Sequence, residues 1–254
     1  MSTNDPVILF DPYPRPVDLI FSAEDKARLE KLGRVVWHDG PPAPDAFIEE
    51  HLPNAVALIG QTPMPKERLD RAPNLRLIAN VESNFMPNVD YEECHRRNIY
   101  VLSTAPVFAQ PVAEMALGLA LSSARRIAQA DAAIRRGDET LYGEGDNYDS
   151  FLLHGKPLGL LGFGNLGRAL LPLLRPFSRE ILVHDPWIHP NVLASQGVEP
   201  VSFDELFARS KVLFVLAATT TENQGMIGAR HFAAMQPGAV FVLVSRAGVV
   251  DFDA

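Results

Sequence analysis

The chain has 254 residues, of which 47% are hydrophobic and 21% are charged, as expected of a globular protein with room for two domains. Its net charge of −8 argues against nucleic acid or an anionic membrane surface as a partner, because both attract clustered Lys and Arg. The single cysteine excludes an internal disulfide and a cysteine-based metal cluster. No dense group of His and acidic residues stands at ligand spacing, so we predict no metal site.

The N-terminal segment shows no targeting signal. It has no basic stretch followed by an apolar core of signal-peptide length. No apolar run reaches the ~18 residues that a membrane helix needs. We therefore expect a cytoplasmic protein without a membrane partner.

The first hundred residues alternate short apolar runs with helical stretches, which indicates crossover units and a parallel sheet covered on both faces. One helix is predicted to start after Ser22, with an acid three residues later and Gly33 as its end. Cys94 falls on a short amphipathic helix, where we expect a half-buried, inert thiol. The pattern predicts five strands, namely Val7–Phe10, Val35–Trp37, Ala55–Ile59, Leu75–Ala79 and Tyr100–Leu102.

A long connecting helix is predicted from Gln110 to about Arg136, with Pro111 in its first turn. Because it is rich in Ala and Leu, this helix either packs on its own domain or also supplies the contact of a homodimer. A polar stretch from Gly137 to Ser150 then predicts an exposed loop. These boundaries suggest two domains, residues 1–104 and residues 105–254.

The second half opens on an apolar strand that turns through Gly162, Gly164 and Gly167, spaced G-x-G-x-x-G, into a helix. In a dinucleotide site the first glycine permits a tight turn, the second lets the backbone approach the pyrophosphate, and the third lets the helix pack on its strand. The helix N-terminus then offers free N–H groups and a partial positive charge to the phosphates.

A second apolar strand ends in Asp185, eighteen residues after Gly167. An acid there accepts hydrogen bonds from both ribose hydroxyls and repels a 2′-phosphate, which favours NAD over NADP. The alternative is that Asp185 only ends a strand before the turn at Pro186. His184 points the other way along the strand, so we interpret it as a packed or surface histidine.

Further elements follow the acid. They are a helix capped by Ser202, a strand at Val212–Leu216, a helix at Ala229–Met235, a strand at Ala239–Val244 and the segment Ser245–Asp251.

The order of these motifs resembles the D-isomer-specific 2-hydroxyacid dehydrogenases through nearly the whole chain. The segments that carry the resemblance, besides the glycine turn, are Asn88–Asp90, Val112–Glu114, Gly155–Gly159, Met235–Ala239 and Ser245–Asp251. The resemblance implies an α/β fold, with a flavodoxin-like N-terminal domain followed by an incomplete NAD-binding Rossmann domain, both with parallel sheets. It also implies a cleft in which NAD exchanges a hydride with C2 of a small 2-oxo or 2-hydroxy acid.

The resemblance also implies the roles of individual residues. Arg246 matches the arginine that holds the substrate carboxylate and carbonyl, a task that suits the planar fork of a guanidinium. The loop containing Val81, Glu82 and Ser83 is the expected substrate-binding loop. Phe163, Asn165 and Leu166 are expected to offer their backbone N–H groups to the pyrophosphate. Val244 and Ser245 are expected to lie near the nicotinamide, and Ala217 is a further expected cofactor contact.

Three departures from the family pattern bear on activity. Ser83 and Phe85 stand where the family has glycines, and Glu82 would repel an anionic substrate by ~1 kcal/mol at 4 Å in water. Either Glu82 points away, or this subfamily takes an unusual substrate. Leu216–Ala218 replaces the His-x-Pro of the cofactor rim, and Ala247 replaces the glycine after the arginine. The chain ends at Ala254, before the glutamate and the general acid/base histidine that the resemblance requires.

Proton transfer contributes ~10²–10⁴-fold to such reactions, so a chain truncated here is expected to turn over little or no substrate. Missing last strands would also leave Val240–Val244 as an open edge that invites pairing or aggregation. The leading hypothesis is an NAD-dependent D-2-hydroxyacid dehydrogenase in shortened form. The alternatives are a non-catalytic, NAD-responsive binding protein and a Rossmann protein that uses a different nucleotide.

Overall fold

The structure is a computed structural model that describes residues 6–82, 86–138 and 150–253. Its internal contacts divide the chain into two compact units, Met1–Val107 and Phe108–Ala254, which we call the first and the second unit. Each unit contains a five-stranded sheet.

The first unit is built on a parallel sheet with the strand order β2-β1-β3-β4-β5. This is the flavodoxin-like order, in which the winding reverses between β1 and β3. All five predicted strands are present, and their bounds are β1 (Val7–Asp11), β2 (Arg34–Trp37), β3 (Ala55–Gly60), β4 (Leu77–Ala79) and β5 (Tyr100–Leu102).

Helices cover this sheet. The predicted cap is confirmed, because the Ser22 hydroxyl accepts the N–H of Asp25 at 3.1 Å. Cys94 is more deeply buried than expected, and burial raises the pKa of its thiol to about 11. The helices are α1 (Val17–Ile20), α2 (Ala23–Glu30), α3 (Asp45–His51), α4 (Lys66–Leu69) and α5 (Tyr91–Arg96), with a 3₁₀ turn at Leu52–Asn54.

The connecting segment is two helices, α6 (Ala105–Ala124) and α7 (Ile127–Arg135), so the prediction of one helix from Gln110 to Arg136 is wrong. Pro111 lies inside α6 and not in its first turn. The break falls at Arg126, whose φ of 52° is left-handed and cannot continue an α-helix. The apolar spacing runs through the break, which is why the sequence does not reveal it. Most of the predicted polar loop, residues 139–149, lies outside the described residues.

Helix α6 is long and apolar enough to cross a membrane, judged by length and composition alone. The prediction that no segment reaches that length is therefore wrong. A single helix of this kind is weak evidence for a membrane span, because helices that pack in protein cores have the same length and composition. A stripe of α6 does pack in the core of the second unit, through Ala113, Ala116, Ala120 and Ala124.

The second unit has a parallel sheet in the order β10-β9-β6-β7-β8, which is the doubly wound Rossmann order with its reversal between β6 and β9. The predicted cap at Ser202 is confirmed as a reciprocal capping box with Glu205. The elements are β6 (Leu158–Leu161), α8 (Asn165–Leu174), β7 (Ile181–His184), α9 (Pro190–Ser195), β8 (Glu199–Pro200), α10 (Phe203–Arg209), β9 (Val212–Val215), α11 (Ala229–Ala234) and β10 (Val240–Leu243), with a 3₁₀ turn at Ala247–Val249.

An ionic network joins the helices on one face of the first unit. Glu49 on α3 accepts hydrogen bonds from Arg71 and Arg68, and these guanidinium groups lower the pKa of its carboxyl to about 2. Glu93 on α5 is paired in the same way with Arg96 and Arg97, which lower its pKa to about 2. Both carboxylates therefore stabilise the folded state only while they are ionised.

Acid is accordingly expected to weaken the first unit. The folded pKa of Glu49 lies below its ordinary value of 4.5, so its contribution is present above pH 4.5 and is lost as the pH falls towards about 2. We expect Glu49→Gln to reduce the loss of stability between about pH 6 and about pH 3 by about 1 kcal/mol or less. Urea unfolding followed by the fluorescence of Trp37 in β2 measures this difference. The exposed neighbour Glu50→Gln is the control, and an equal effect of both variants would contradict the assignment.

Candidate cofactor and substrate sites

The glycine turn follows β6 at the reversal point of the second sheet. Gly162 has a φ of 97°, and a β-carbon there would lie 3.0 Å from the backbone nitrogen of Ala217. At Gly167 a β-carbon would lie 2.9 Å from the carbonyl oxygen of Gly162. At Gly164 it would meet no heavy atom within 4 Å. Two of the glycines thus serve close backbone packing, and the middle one faces open space.

Helix α8 begins directly at this open space. Its first intrahelical bond runs from the N–H of Arg168 to the carbonyl of Gly164, so the N–H groups of Asn165 and Leu166 have no acceptor within the helix. These donors stand at the positive end of the helix dipole. The turn and the helix together can hold an anion such as a pyrophosphate.

Asp185 follows β7 and reaches back to the turn. Its Oδ2 accepts the N–H of Phe163 at 2.7 Å, and its Oδ1 accepts the N–H of Trp187 at 2.9 Å. The N–H of Phe163, for which we predict a contact with the pyrophosphate, is thus bonded to Asp185 in this structure. A carboxylate has about four acceptor positions, so Asp185 can still accept bonds from two ribose hydroxyls.

The ends of β9 and β10 lie at the same edge of the sheet as the glycine turn. Ala217 packs against Gly162, and Val244 donates its N–H to Val215. The hydroxyls of Ser245 and Thr219 are buried without a hydrogen-bond partner among residues 6–82, 86–138 and 150–253. Buried polar groups are normally paired, so these two hydroxyls fit an edge that receives a polar ligand. The sequence did not single out Thr219, since nothing in a run of three threonines distinguishes it.

Arg246 is exposed and stands just before the 3₁₀ turn that follows β10. Within the described part of the chain, its guanidinium makes no ion pair. Carboxylates and carbonyls are the natural partners of such a fork, and Arg246 is available to bind them.

The predicted substrate loop follows β4 in the first unit. Val81 is buried, and Ser83 lies outside the described residues. Glu82 accepts a hydrogen bond on Oε1 from the Nε of Arg15 at 2.9 Å, and its carbonyl accepts the N–H of Thr104. The carboxylate that threatened to repel an anionic substrate is thus neutralised by an arginine 67 residues away. No local sequence pattern could have paired the two.

His184, next to Asp185 at the end of β7, packs within the second unit. His184 bonds through Nδ1 to the carbonyl of Val201 and packs edge-on against Phe203, which confirms it as a packed histidine. In the part of the chain that the structure describes, no group of three or more His, Cys, Asp or Glu could hold a metal ion.

Comparisons with known proteins agree with this geometry. The family model for the D-isomer specific 2-hydroxyacid dehydrogenase, NAD binding domain, matches residues 117–254. A glyoxylate reductase of Thermococcus litoralis is 33% identical over 232 residues, which cover 89% of this chain and 70% of that protein. A D-3-phosphoglycerate dehydrogenase of Mycobacterium leprae is 29% identical over 239 residues, and the alignment covers 93% of this chain but only 44% of the relative.

Solved structures show the same fold. The crystal structure of a phosphoglycerate oxidoreductase from Rhizobium etli is 42% identical, with a TM-score of 0.79, and the match covers 98% of this chain and 75% of that one. Both sheets of the present chain therefore have counterparts in a solved relative.

The glycine turn at the reversal point of the sheet, with a helix N-terminus beside it, agrees with the matched family model. The chain belongs to the D-isomer specific 2-hydroxyacid dehydrogenases, and NAD is its cofactor.

Proposed function

We propose that this chain provides the NAD-binding and substrate-binding parts of an oxidoreductase that transfers a hydride between NAD and C2 of a small D-2-hydroxy or 2-oxo acid. The observation that carries the proposal is the cradle formed by the glycine turn, the N-terminus of α8 and Asp185. Its open space at Gly164 would be filled by any side chain, so the backbone is kept bare for a ligand.

We assign a task to each cofactor residue on this basis. The N–H groups of Asn165 and Leu166 bind the pyrophosphate above Gly164, and the free acceptor positions of Asp185 bind the adenosine ribose. Three residues at the ends of β9 and β10 contact the nicotinamide end of the cofactor, namely Ala217, Val244 and Ser245. When bound, NAD supplies the acceptor or donor of the hydride.

On the substrate, Arg246 holds the carboxylate through its fork and polarises the carbonyl at C2. In the first unit, we assign substrate binding to the loop that contains Val81, Glu82 and Ser83. Because Glu82 is neutralised by Arg15, its charge does not oppose this binding.

The second candidate function is a non-catalytic protein that responds to NAD. It shares every motif through Arg246 with the enzyme, so binding alone does not separate the two. NADH consumption against a panel of 2-oxo acids does, measured on this chain and on any longer natural form. Turnover supports the dehydrogenase, whereas tight NADH binding without turnover in either form supports the binding protein.

The ribose assignment is tested with Asp185→Ala. We expect the preference for NADH over NADPH to fall by about tenfold or more, because the variant loses the ribose acceptor and the charge that repels a 2′-phosphate. Titration of nucleotide fluorescence measures both dissociation constants, and Asp131→Ala on α7 is the control. Since Asp185 also holds the turn, the ratio of the two constants is the readout. An unchanged ratio would place the ribose elsewhere.

The substrate assignment is tested with Arg246→Lys. The ammonium group of lysine cannot form the bidentate contact of a guanidinium. We therefore expect glyoxylate to bind the NAD-saturated variant about tenfold more weakly than the NAD-saturated native protein. The affinity for NAD itself should change little, which shows that the fold is intact. The exposed Arg179→Lys serves as the matched control. Unaltered glyoxylate affinity in Arg246→Lys would remove this residue from the site.

We also propose that the chain forms a homodimer through α6 and works in the cytoplasm. Besides its buried alanine stripe, α6 carries Met115 and Leu119, which are 62% and 42% exposed. Covering such side chains is a common basis of association.

The dimer is tested by light scattering. We expect Met115→Glu to lower the molar mass from that of two chains to that of one, because an exposed carboxylate resists burial. Leu19→Glu changes a similarly exposed apolar residue in the first unit, so this variant should keep the mass of the native protein. A native protein that is already monomeric would contradict the proposal.

A further inference from the structure

The loop that follows β9 lies beside the glycine turn of the second unit. It runs from residue 216 to residue 228, between β9 and α11. At its start, Leu216 donates its N–H to the carbonyl of Leu161 at 2.9 Å, and the backbone of Ala217 packs against Gly162. In a doubly wound sheet, the loops that follow the strands border the ligand at the reversal point. The shape of this loop therefore bears on how a cofactor fits.

Asn223 holds this loop through both ends of its side-chain amide. Its Oδ1 accepts the N–H of Thr220 at 2.7 Å, and its Nδ2 donates to the carbonyl of Ala218 at 2.7 Å. Exchanging the two ends would place donor against donor and acceptor against acceptor, so the bonds define one orientation of the amide. Because they lie on either side of Thr219, they fix the backbone around it. We call residues 218–220 the bridged segment.

The bridged segment lacks the restraint that a proline would give it. In the family pattern a proline stands at the position of Ala218, and the ring of a proline fixes φ and restricts the preceding residue. In this chain the two hydrogen bonds of Asn223 restrain the same backbone by a different means. A loop that is already held in its binding conformation loses less entropy when a ligand arrives.

The bridged segment also contacts the turn that follows Arg246. A β-carbon on Gly248 would lie 3.1 Å from Cγ2 of Thr219, so these two residues are closely packed. Further along the loop, Gly225 donates its N–H to the carbonyl of Gly248 at 2.8 Å. The 3₁₀ turn directly after Arg246 is thus supported by the loop that Asn223 shapes.

We infer that Asn223 is a positioning residue for the proposed hydride transfer. It holds the bridged segment in the shape that receives the nicotinamide half of NAD. Through Thr219 and Gly248, it also steadies the turn beside Arg246. In this assignment Asn223 contacts neither the cofactor nor the substrate and acts through the backbone alone. The inference rests on the proposed function and adds a residue outside the glycine turn and the dehydrogenase motifs.

The direct test compares the affinities for NADH and ADP. ADP has the adenosine and both phosphates of the cofactor but lacks the nicotinamide riboside, so in our assignment its binding does not depend on the bridged segment. We expect Asn223→Ala to weaken NADH binding about fivefold and to change ADP binding by less than about twofold, because two hydrogen bonds that shape the segment are lost. Calorimetric titration of the full chain measures both dissociation constants.

The matched control is Gln224→Ala, which removes an exposed amide next to Asn223 in the same loop. This variant should leave both affinities unchanged. Equal weakening of NADH and ADP in Asn223→Ala would indicate a general loss of structure and would overturn the inference. An unchanged affinity for NADH, or an equal effect of the control, would overturn it as well.

The link to Arg246 is tested with glyoxylate. In chains saturated with NAD, we expect Asn223→Ala to weaken glyoxylate binding about threefold or more, because the turn beside Arg246 loses part of its support. Gln224→Ala should bind glyoxylate as the native protein does. Unchanged glyoxylate affinity in Asn223→Ala overturns this link.

The native chain separates failure of the inference from failure of the proposed function. If the native chain binds NADH more tightly than ADP and Asn223→Ala preserves that difference, only the role of Asn223 is wrong. If the native chain binds neither nucleotide, the proposed function fails, and the inference fails with it.

Discussion

The cofactor half of the molecule depends on two places where there is no room for a β-carbon. Gly162 presses against the backbone of Ala217, and Gly167 presses against the carbonyl of Gly162. The first contact closes the gap between β6 and β9 on one side of the turn, and the second seats α8 on its strand. Only with both in place does the N-terminus of the helix stand over the open space at Gly164.

The carboxylate of Asp185 also helps to hold the glycine turn in place. By accepting the N–H of Phe163, it ties the end of β7 to the glycine turn before any nucleotide arrives. The residue to which we assign the ribose therefore also shapes the turn to which we assign the pyrophosphate. In the proposed site, one side chain thus couples the ribose contact to the shape of the pyrophosphate turn, which is a form of preorganisation.

Much of the fold could be predicted from the sequence, because apolar strands alternating with amphipathic helices produce a strong periodic signal. The caps at Ser22 and Ser202 and nine of the ten described strands needed only local patterns or motifs, whereas the two-residue strand β8 was not predicted. The break at Arg126 was hidden by apolar spacing that continues on both sides of it. The pairing of Arg15 with Glu82 and the hydrogen bond from Phe163 to Asp185 join segments that are distant in the chain, so no local sequence pattern reveals them.

The single cysteine has a practical consequence. Cys94 lies in the core of the first unit, and its thiol, with a pKa of about 11, is almost entirely protonated at neutral pH. Thiol reagents attack the thiolate, so they can modify this side chain only when α5 separates from the sheet. The rate at which Cys94 is alkylated would thus measure how often the first unit opens locally, without an engineered label.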